Sequence, residues 1–211
     1  RAWLDEGLPP LKMAVNVSAA QTQRGNLVDT VRQALHDSGL PPEHLILELT
    51  ETLLIESGDQ ARGLITQLKQ LGLRLSLDDF GTGYSSFAYL RQFPVHELKL
   101  DRVFIQNLVA DRGDQQIVKA LIDLAHAFDL RALAEGVDDP AAVHMLREFG
   151  CDRVQGFLYA RALPAEELIP WIQRFNQGEA MATMHRDGVT SLDRGLSQAI
   201  SILEPRVQIW F

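Results

Sequence analysis

The sequence predicts an α/β fold in which a parallel sheet curls into a barrel. Six short apolar runs alternate with segments of helical spacing, and each run ends in at least one polar side chain. Strands that are buried on both faces and joined by helical crossovers form parallel sheets. An open, doubly wound sheet is the alternative architecture. No G-x-G-x-x-G follows the first run, and polar strand ends are typical of barrels, so the barrel is favoured.

The six candidate strands are four to eight residues long and rich in leucine, valine or isoleucine, which is typical of buried strands. They are the runs at 11–17, 45–49, 73–77, 97–100, 130–137 and 153–159.

Segments with a helical period lie between these runs. Leu27, Val31 and Leu35 follow an i, i+4, i+8 spacing, and similar stripes occur at 61–68, 117–125 and 168–175. Residues that commonly end or begin helices flank these segments. They are the glycines at 39, 72 and 150 and the prolines at 140 and 164.

The composition limits the class of protein. The chain has 211 residues, of which 46% are hydrophobic, enough for one sizeable core. Its formal net charge is −8 and it has no basic stripe, which argues against binding to duplex nucleic acid. Cys151 is the only cysteine, so no disulfide framework exists within one chain, as expected of a cytoplasmic protein. No apolar run is long enough to span a membrane.

The repeating pattern stops before the end of the chain. We assign residues 1–177 to a barrel domain and residues 178–211 to a C-terminal tail with a possible helix around 192–203. The tail has no functional interpretation from sequence.

Polar side chains at the strand ends predict a metal site. The carboxyl ends of parallel strands converge on one face of a barrel, where such enzymes carry out their chemistry. Many carboxylates together are costly to bury without a positive charge among them, and oxygen ligands suit Mg²⁺ or Mn²⁺. Two such ions could hold a phosphodiester and activate water. The residues are Asn16, Ser18, Glu48, Glu51, Asp78, Asp79, Lys99, Asp101, Glu135 and Gln155.

The adjacent carboxylates of Asp78 and Asp79 pose a geometric problem. Side chains alternate along a regular strand, so both cannot face the barrel axis. We therefore expect the strand to end there, with Gly81 and Gly83 turning the chain so that both carboxylates reach one site.

Six motifs resemble those of a known family. "VNVS", "LELTE", "LDDFGTGYSS", "KLD", "AEGV" and "QGFLYARAL" occur in the order found in the EAL domain, the bacterial phosphodiesterase of cyclic di-GMP. The resemblance runs from about residue 3 to about residue 177, and the "DDFGTGYSS" block is its most specific part. It implies a modified triose-isomerase barrel that hydrolyses cyclic di-GMP to linear pGpG with Mg²⁺ or Mn²⁺, by two-metal activation of water.

The resemblance also implies roles for individual residues. Glu135 would be a further metal ligand or the general base, and Lys99 would orient the attacking water or neutralise charge on the phosphate. Gln155, Asp101 and Ser18 would contact the substrate. The other metal ligands would be Asn16, Glu48, Asp78 and Asp79. The residues coupling the site to a dimer interface would be Glu51, Gly81, Thr82, Gly83, Tyr84, Ser85 and Asp138.

The sequence departs from the family pattern in two ways. No Glu-Ala-Leu occurs, so we expect an N-terminally incomplete barrel that lacks about two strands and one metal ligand. Asp138 stands where members usually have glutamate. The resemblance further implies a homodimer and allows an upstream sensory or cyclase-like domain.

Other interpretations stay open at this point. Asp78 and Asp79 could form a surface turn, and Glu51 could cap a helix. At the level of function, the alternatives are a degenerate EAL module that binds cyclic di-GMP or a partner without cleavage, and an unrelated metal-dependent barrel.

Overall fold

The structure, a computed structural model, describes residues 11–23, 25–81, 90–176, 197–201 and 207–210. None of the helices within these ranges is both long and apolar enough to cross a bilayer.

Six parallel strands form the main sheet and confirm the predicted fold class. They lie side by side in chain order, and every neighbouring pair among them is parallel. The strands are β1 (Lys12–Val17), β2 (Leu45–Thr50), β3 (Arg74–Phe80), β4 (Glu97–Leu100), β5 (Arg131–Ala134) and β6 (Arg153–Gln155). The last two are shorter than the apolar runs suggested, so residues 135–137 and 156–159 leave the sheet as loops.

Helices connect β1 to β2, β2 to β3, β4 to β5 and β5 to β6, as the periodicity predicts. The helix over Leu27–Ser38 ends at Gly39, which has a left-handed φ of 62° and donates its N–H to the Leu35 carbonyl. Pro140 begins a later helix, whose preceding residue Asp139 accepts the Ala141 N–H. The helices are α1 (Ala19–Gln23), α2 (Leu27–Ser38), α3 (Glu51–Gln70), α4 (Arg102–Ile105), α5 (Arg112–Ala127), α6 (Pro140–Glu148) and α7 (Ala165–Asn176); a 3₁₀ turn spans Pro42–His44.

Alternation along the strands separates two cores. One set of strand residues, including Leu47, Leu75 and Leu98, packs with the helices in the main hydrophobic cluster. The alternate positions face the barrel interior, where Ala14, Ile46 and Leu133 form a small apolar layer. This interior face carries the polar residues of β2 to β6, so the fold itself delivers them to the barrel axis.

Two C-terminal strands close the sheet between β6 and β1. Strand β7 (Ser197–Ser201) pairs in parallel with β6, and β8 (Val207–Trp210) pairs antiparallel with both β7 and β1. The resulting order is a closed barrel from β1 to β8. The six parallel strands alone form the incomplete barrel that the sequence predicts, and the strands from the tail span its gap.

The tail corrects one expectation. The helix anticipated around 192–203 is wrong for Ser197–Ser201, which form a strand; residues 192–196 and 202–203 lie outside the described residues. Without the tail, the edges of β1 and β6 would carry unpaired backbone N–H and C=O groups, and β7 and β8 pair with them. Pairing with these edges favours an extended strand over the helix that the local sequence pattern predicts.

Candidate functional site: an acidic barrel mouth around Lys99

Lys99 lies at the centre of the polar mouth of the barrel. Its Nζ is 2.9 Å from Glu48 Oε1, 3.0 Å from Asp78 Oδ1 and 2.6 Å from Glu135 Oε1. The lysine side chain is only 1% exposed. Strands β2, β3 and β4 thus bring Glu48, Asp78 and Lys99 to a single buried point. Glu135 reaches the same point from the position directly after β5.

The electrostatics of this group follow from its burial. Burial opposes the charge on Lys99, but the three carboxylates outweigh it and raise the pKa of the ammonium. Burial likewise raises the pKa of Glu48 to about 7, although Lys99 pulls it down. Burial is also the main cause of the raised pKa of Glu135. The mouth therefore combines one ammonium that keeps its charge with two glutamates, Glu48 and Glu135, whose charged forms burial disfavours.

A bulge in β3 directs both Asp78 and Asp79 to the mouth. The strand does not end at Asp78 as expected; it continues to Phe80, and its register with β4 shifts between Leu77 and Phe80. Asp79 has a left-handed φ of 56°, which interrupts the alternation of side chains. The expectation that the strand must stop is therefore wrong, because the bulge brings both carboxylates to the mouth within the strand.

Three carboxylates form a group that fits a metal ion. One oxygen each from Asp78, Asp79 and Glu135 lie within 4.8 Å of one another. Glu48 adds a buried Oε2 with no hydrogen-bond partner among the described residues. An all-oxygen donor set with a buried, unused carboxylate oxygen is suited to a hard divalent cation.

The other predicted ligand and substrate residues take different positions. Asn16 is the register partner of Glu48 across β1 and β2. Asp101 lies near enough to Asp79 to raise the pKa of that carboxyl, after burial and Asp78, and its own Oδ1 accepts the Val103 N–H at the start of α4. Ser18 is engaged locally, since its N–H and hydroxyl both donate to Gln21 Oε1 at 3.0 and 2.8 Å.

The residues expected to couple the site to a dimer interface are partly described. Glu51, at the start of α3, accepts the Gly81 N–H through Oε2 at 3.2 Å. Asp138 lines a cavity beside Glu135. Thr82, Gly83, Tyr84 and Ser85 lie outside the described residues.

The structure adds residues that sequence reasoning missed. A cavity of about 230 Å³ opens beside Glu135 and Gln155, and Arg102 and Phe157 line it. The Phe157 ring is 65% exposed and carries the Arg161 guanidinium 4.6 Å from its centroid. The exposure of Phe157 is a property of the tertiary structure, so the sequence pattern offered no signal for this surface.

A buried ion pair supports the mouth from below. Arg153 Nη1 lies 2.7 Å from Glu97 Oε2, and both side chains are at most 6% exposed. Each residue lies two positions before a mouth residue on the same strand, Lys99 or Gln155, and therefore on the same face. The pair thus forms the polar layer beneath the mouth.

Cys151 has no part in this site. Its thiol is buried, burial raises its pKa to about 12, and Sγ contacts the Arg153 carbonyl at 3.1 Å. It is a structural thiol.

Fold and site together define an α/β barrel with six parallel strands and a cluster of acidic side chains at their carboxyl ends. The family profile described as "EAL domain" matches residues 1–162. The chain belongs to the EAL domain family.

Several proteins are similar to this chain. The bifunctional diguanylate cyclase/cyclic di-GMP phosphodiesterase MucR of Pseudomonas aeruginosa is 45% identical over 169 residues, which are 80% of this chain and 25% of that protein. The cyclic di-GMP phosphodiesterase NbdA of the same organism is 44% identical over 165 residues, 78% of this chain and 21% of that protein. The chain thus spans a quarter or less of these curated relatives.

A solved structure described as the PaMucR phosphodiesterase in complex with c-di-GMP superposes with a TM-score of 0.76 at 45% identity. The match covers 79% of this chain and 68% of that chain. The six-stranded part of the barrel is therefore of the EAL type.

Proposed function

We propose that this chain is the catalytic part of a phosphodiesterase that hydrolyses cyclic di-GMP to linear pGpG. The observation that carries the proposal is the mouth itself: Asp78, Asp79 and Glu135 offer oxygens within 4.8 Å of one another around the buried Lys99. Membership of the EAL domain family supports the choice of substrate, because MucR and NbdA are named cyclic di-GMP phosphodiesterases.

The residues present fit one or two Mg²⁺ or Mn²⁺ ions. Asp78, Asp79 and Glu135 would hold them, with Glu48 and Asn16 completing the oxygen donors. Such ions supply a Lewis acid for the phosphate and lower the pKa of an attacking water.

The chain's own residues would do the remaining work. Lys99 keeps its charge, because three carboxylates raise its pKa, and would neutralise charge that develops on the phosphate. Glu135 has a raised pKa and lies at the edge of the cavity, so its carboxylate would accept the proton of the attacking water. Gln155, Arg102 and Phe157 line the same cavity and would bind and orient the dinucleotide.

The test is incubation of the chain with cyclic di-GMP and Mg²⁺ or Mn²⁺, with pGpG measured by chromatography. We expect turnover that EDTA abolishes. Asp78→Asn should lower the turnover rate by at least about 100-fold, a larger loss than is usual for substitution of a residue that only hydrogen-bonds to a metal ligand. Asp29→Asn is the control, because Asp29 is an exposed helix residue paired with Arg32.

Two results would contradict the proposal in different ways. Full activity of Asp78→Asn would remove Asp78 from the ligand set. Saturable binding of cyclic di-GMP without any pGpG would favour a binding module that senses the dinucleotide.

The assembly of the whole protein is part of the same proposal. Since the curated relatives are about four or more times longer than the matched region, an upstream sensory or cyclase-like domain would regulate this one. We also propose a cytoplasmic homodimer, with Glu51 and residues 81–85 linking the site to the interface. Sedimentation of the chain with and without Mg²⁺ tests the dimer.

A further inference from the structure

A second cavity lies at the opposite end of the barrel from the acidic mouth. It has a volume of about 450 Å³ and is formed where α3 ends and where β3, β4 and β5 begin. Lys69 is in the last turn of α3, and Arg74 and Arg131 are the first residues of β3 and β5. The amino ends of the strands define this face, so it is separate from the proposed catalytic site.

The cavity is strongly cationic in an otherwise acidic protein. Lys69, Arg74, Arg91 and Arg131 line it, and among the lining residues that the structure describes only Asp129 is negative. None of the four cations forms an ion pair with a carboxylate in the described part of the chain. The chain as a whole has a net charge of −8, so this local excess of positive charge is a departure from the surface average.

The positive charges of this cavity lower the pKa values of neighbouring groups. Lys69 and Arg74 add to burial in lowering the pKa of His96, which lines the same cavity. Arg74 and Arg131 similarly add to burial in lowering the pKa of Lys12 on β1. The cations therefore repel other positive charges at this end of the barrel, and an anion bound among them would relieve the repulsion.

His96 contributes a neutral donor of fixed orientation. Its Nδ1 accepts the Leu75 N–H at 3.1 Å, so the ring proton of the neutral imidazole resides on Nε2. Backbone bonds hold the residue on both sides: its N–H donates to the Leu75 carbonyl and its carbonyl accepts the Arg131 N–H. The cavity thus combines four cations with one imidazole ring that hydrogen bonds hold in place.

The floor of the cavity is apolar. Leu90, Phe93, Val95 and Leu130 are at most 7% exposed beneath it, and the half-buried Phe128 forms part of its wall. A volume of this size lies within the usual range for small-ligand sites, roughly 300–1,000 Å³. Cations above an apolar floor suit a phosphate group, with or without an attached planar base.

We infer that this cavity, lined by Lys69, Arg74, Arg91, Arg131 and His96, is a binding site for a phosphate monoester or inorganic phosphate. The site is independent of the proposed hydrolysis, because it lies on the other face of the barrel and needs no divalent ion. The guanidinium groups donate paired hydrogen bonds to phosphate oxygens, and Lys69 adds a point charge.

The test uses the whole ¹⁵N-labelled chain in EDTA, titrated separately with inorganic phosphate, GMP and guanosine. We expect saturable shifts of the Leu75, His96 and Arg131 amides with phosphate and with GMP, and none with guanosine. Tighter binding of GMP identifies the ligand as a nucleotide, and equal binding identifies it as free phosphate; both support the site. Raising the salt concentration should weaken the binding.

A double variant and a matched control decide the outcome. Lys69→Gln with Arg91→Gln, two exposed positions, should weaken phosphate binding more than about tenfold, the loss of one charge-assisted hydrogen bond. Arg62→Gln with Arg112→Gln removes the same charge from exposed positions outside the cavity and should change affinity less than about twofold. Absence of saturation, an equal effect of the control pair, or shifts confined to Asp79 and Glu135 would overturn the inference.

Discussion

Lys99 Nζ lies 2.6 Å from Glu135 Oε1; Lys99 is on β4, and Glu135 directly follows the neighbouring strand β5 at the same end of the barrel. The lysine also contacts Glu48 and Asp78, so one buried ammonium lies among three carboxylates and offsets part of their charge. Burial of several carboxylates without this cation would be costly, which makes Lys99 a structural part of the mouth as well as a candidate catalytic group.

Lys99→Met should make the chain dependent on divalent ions for stability. Removing one partner of a buried ion pair costs about 3–5 kcal/mol, and here three carboxylates are left facing one another. Urea denaturation in EDTA should show this loss, and saturating Mg²⁺ should restore more stability to the variant than it adds to the wild type. Lys119→Met is the control, since the Lys119–Asp123 pair is 43% and 59% exposed and should contribute less than about 1 kcal/mol. Equal stability of the two variants in EDTA would contradict the role of Lys99.

Substitutions of Asp79 should separate backbone geometry from metal binding. Asp79 has a φ of 56°, a conformation that asparagine tolerates and β-branched residues do not. We expect Asp79→Asn to remain within about 1 kcal/mol of wild-type stability, and Asp79→Val to lose about 1–3 kcal/mol. Calorimetric titration with Mn²⁺ should show weaker binding for both. Undiminished Mn²⁺ affinity in Asp79→Asn would show that its carboxylate is no ligand.

Gly156→Ala should disrupt the cavity beside Glu135. A Cβ at this position would lie 2.0 Å from the Val137 carbonyl oxygen and 2.3 Å from its nitrogen. Val137 cannot yield easily, because its N–H donates to the Gln155 carbonyl and its own carbonyl accepts the Leu158 N–H. We expect a loss of more than about 3 kcal/mol by thermal or urea denaturation.

Gly63→Ala is the matched control for this substitution. Gly63 lies within α3, and a Cβ there meets nothing within 4 Å. Alanine should stabilise that helix by about 0.5–1 kcal/mol. A similar loss of stability in both variants would show that the chain does not tolerate alanine in place of glycine in general, and would argue against the clash with Val137.

The stability of the metal-free chain should fall as the pH rises from about 4.5 to about 7. Burial raises the pKa of Glu48 from 4.5 to about 7, so the folded state holds a proton that the unfolded state has released. This contribution is fully present below the unfolded value and is lost as the pH passes the folded one, at a cost of about 3 kcal/mol. Denaturation in EDTA across this range measures it. Glu48→Gln should make this fall shallower, because Glu135 and Asp79, whose pKa values are also raised, remain, and the exposed Glu148→Gln should leave it unchanged. A wild-type slope in Glu48→Gln would assign the effect to other groups.

Local sequence patterns were sufficient to predict the six parallel strands and the residues at their ends. The periodicity of apolar side chains reports which face of an element is buried, and parallel strands with helical crossovers bring their carboxyl ends together whatever the details. Glu48, Asp78, Lys99 and Glu135 could therefore be assigned to one mouth from the order of strands and helices alone. The same reasoning could not place Phe157 beside that mouth, because it follows a strand that proved to be only three residues long.

What the sequence by itself determined is the order of elements, the family and the chemical character of the site. The tertiary structure decided that β3 bulges at Asp79, that Ser197–Ser201 is a strand, and that four cations share a cavity on the opposite face. Each of these depends on residues distant in the chain. The bulge depends on the register with β4, the C-terminal strand on the edges of β1 and β6, and the cavity on the three strands that begin around it. Local propensity does not depend on residues distant in the chain, so these features could be identified only from the assembled sheet.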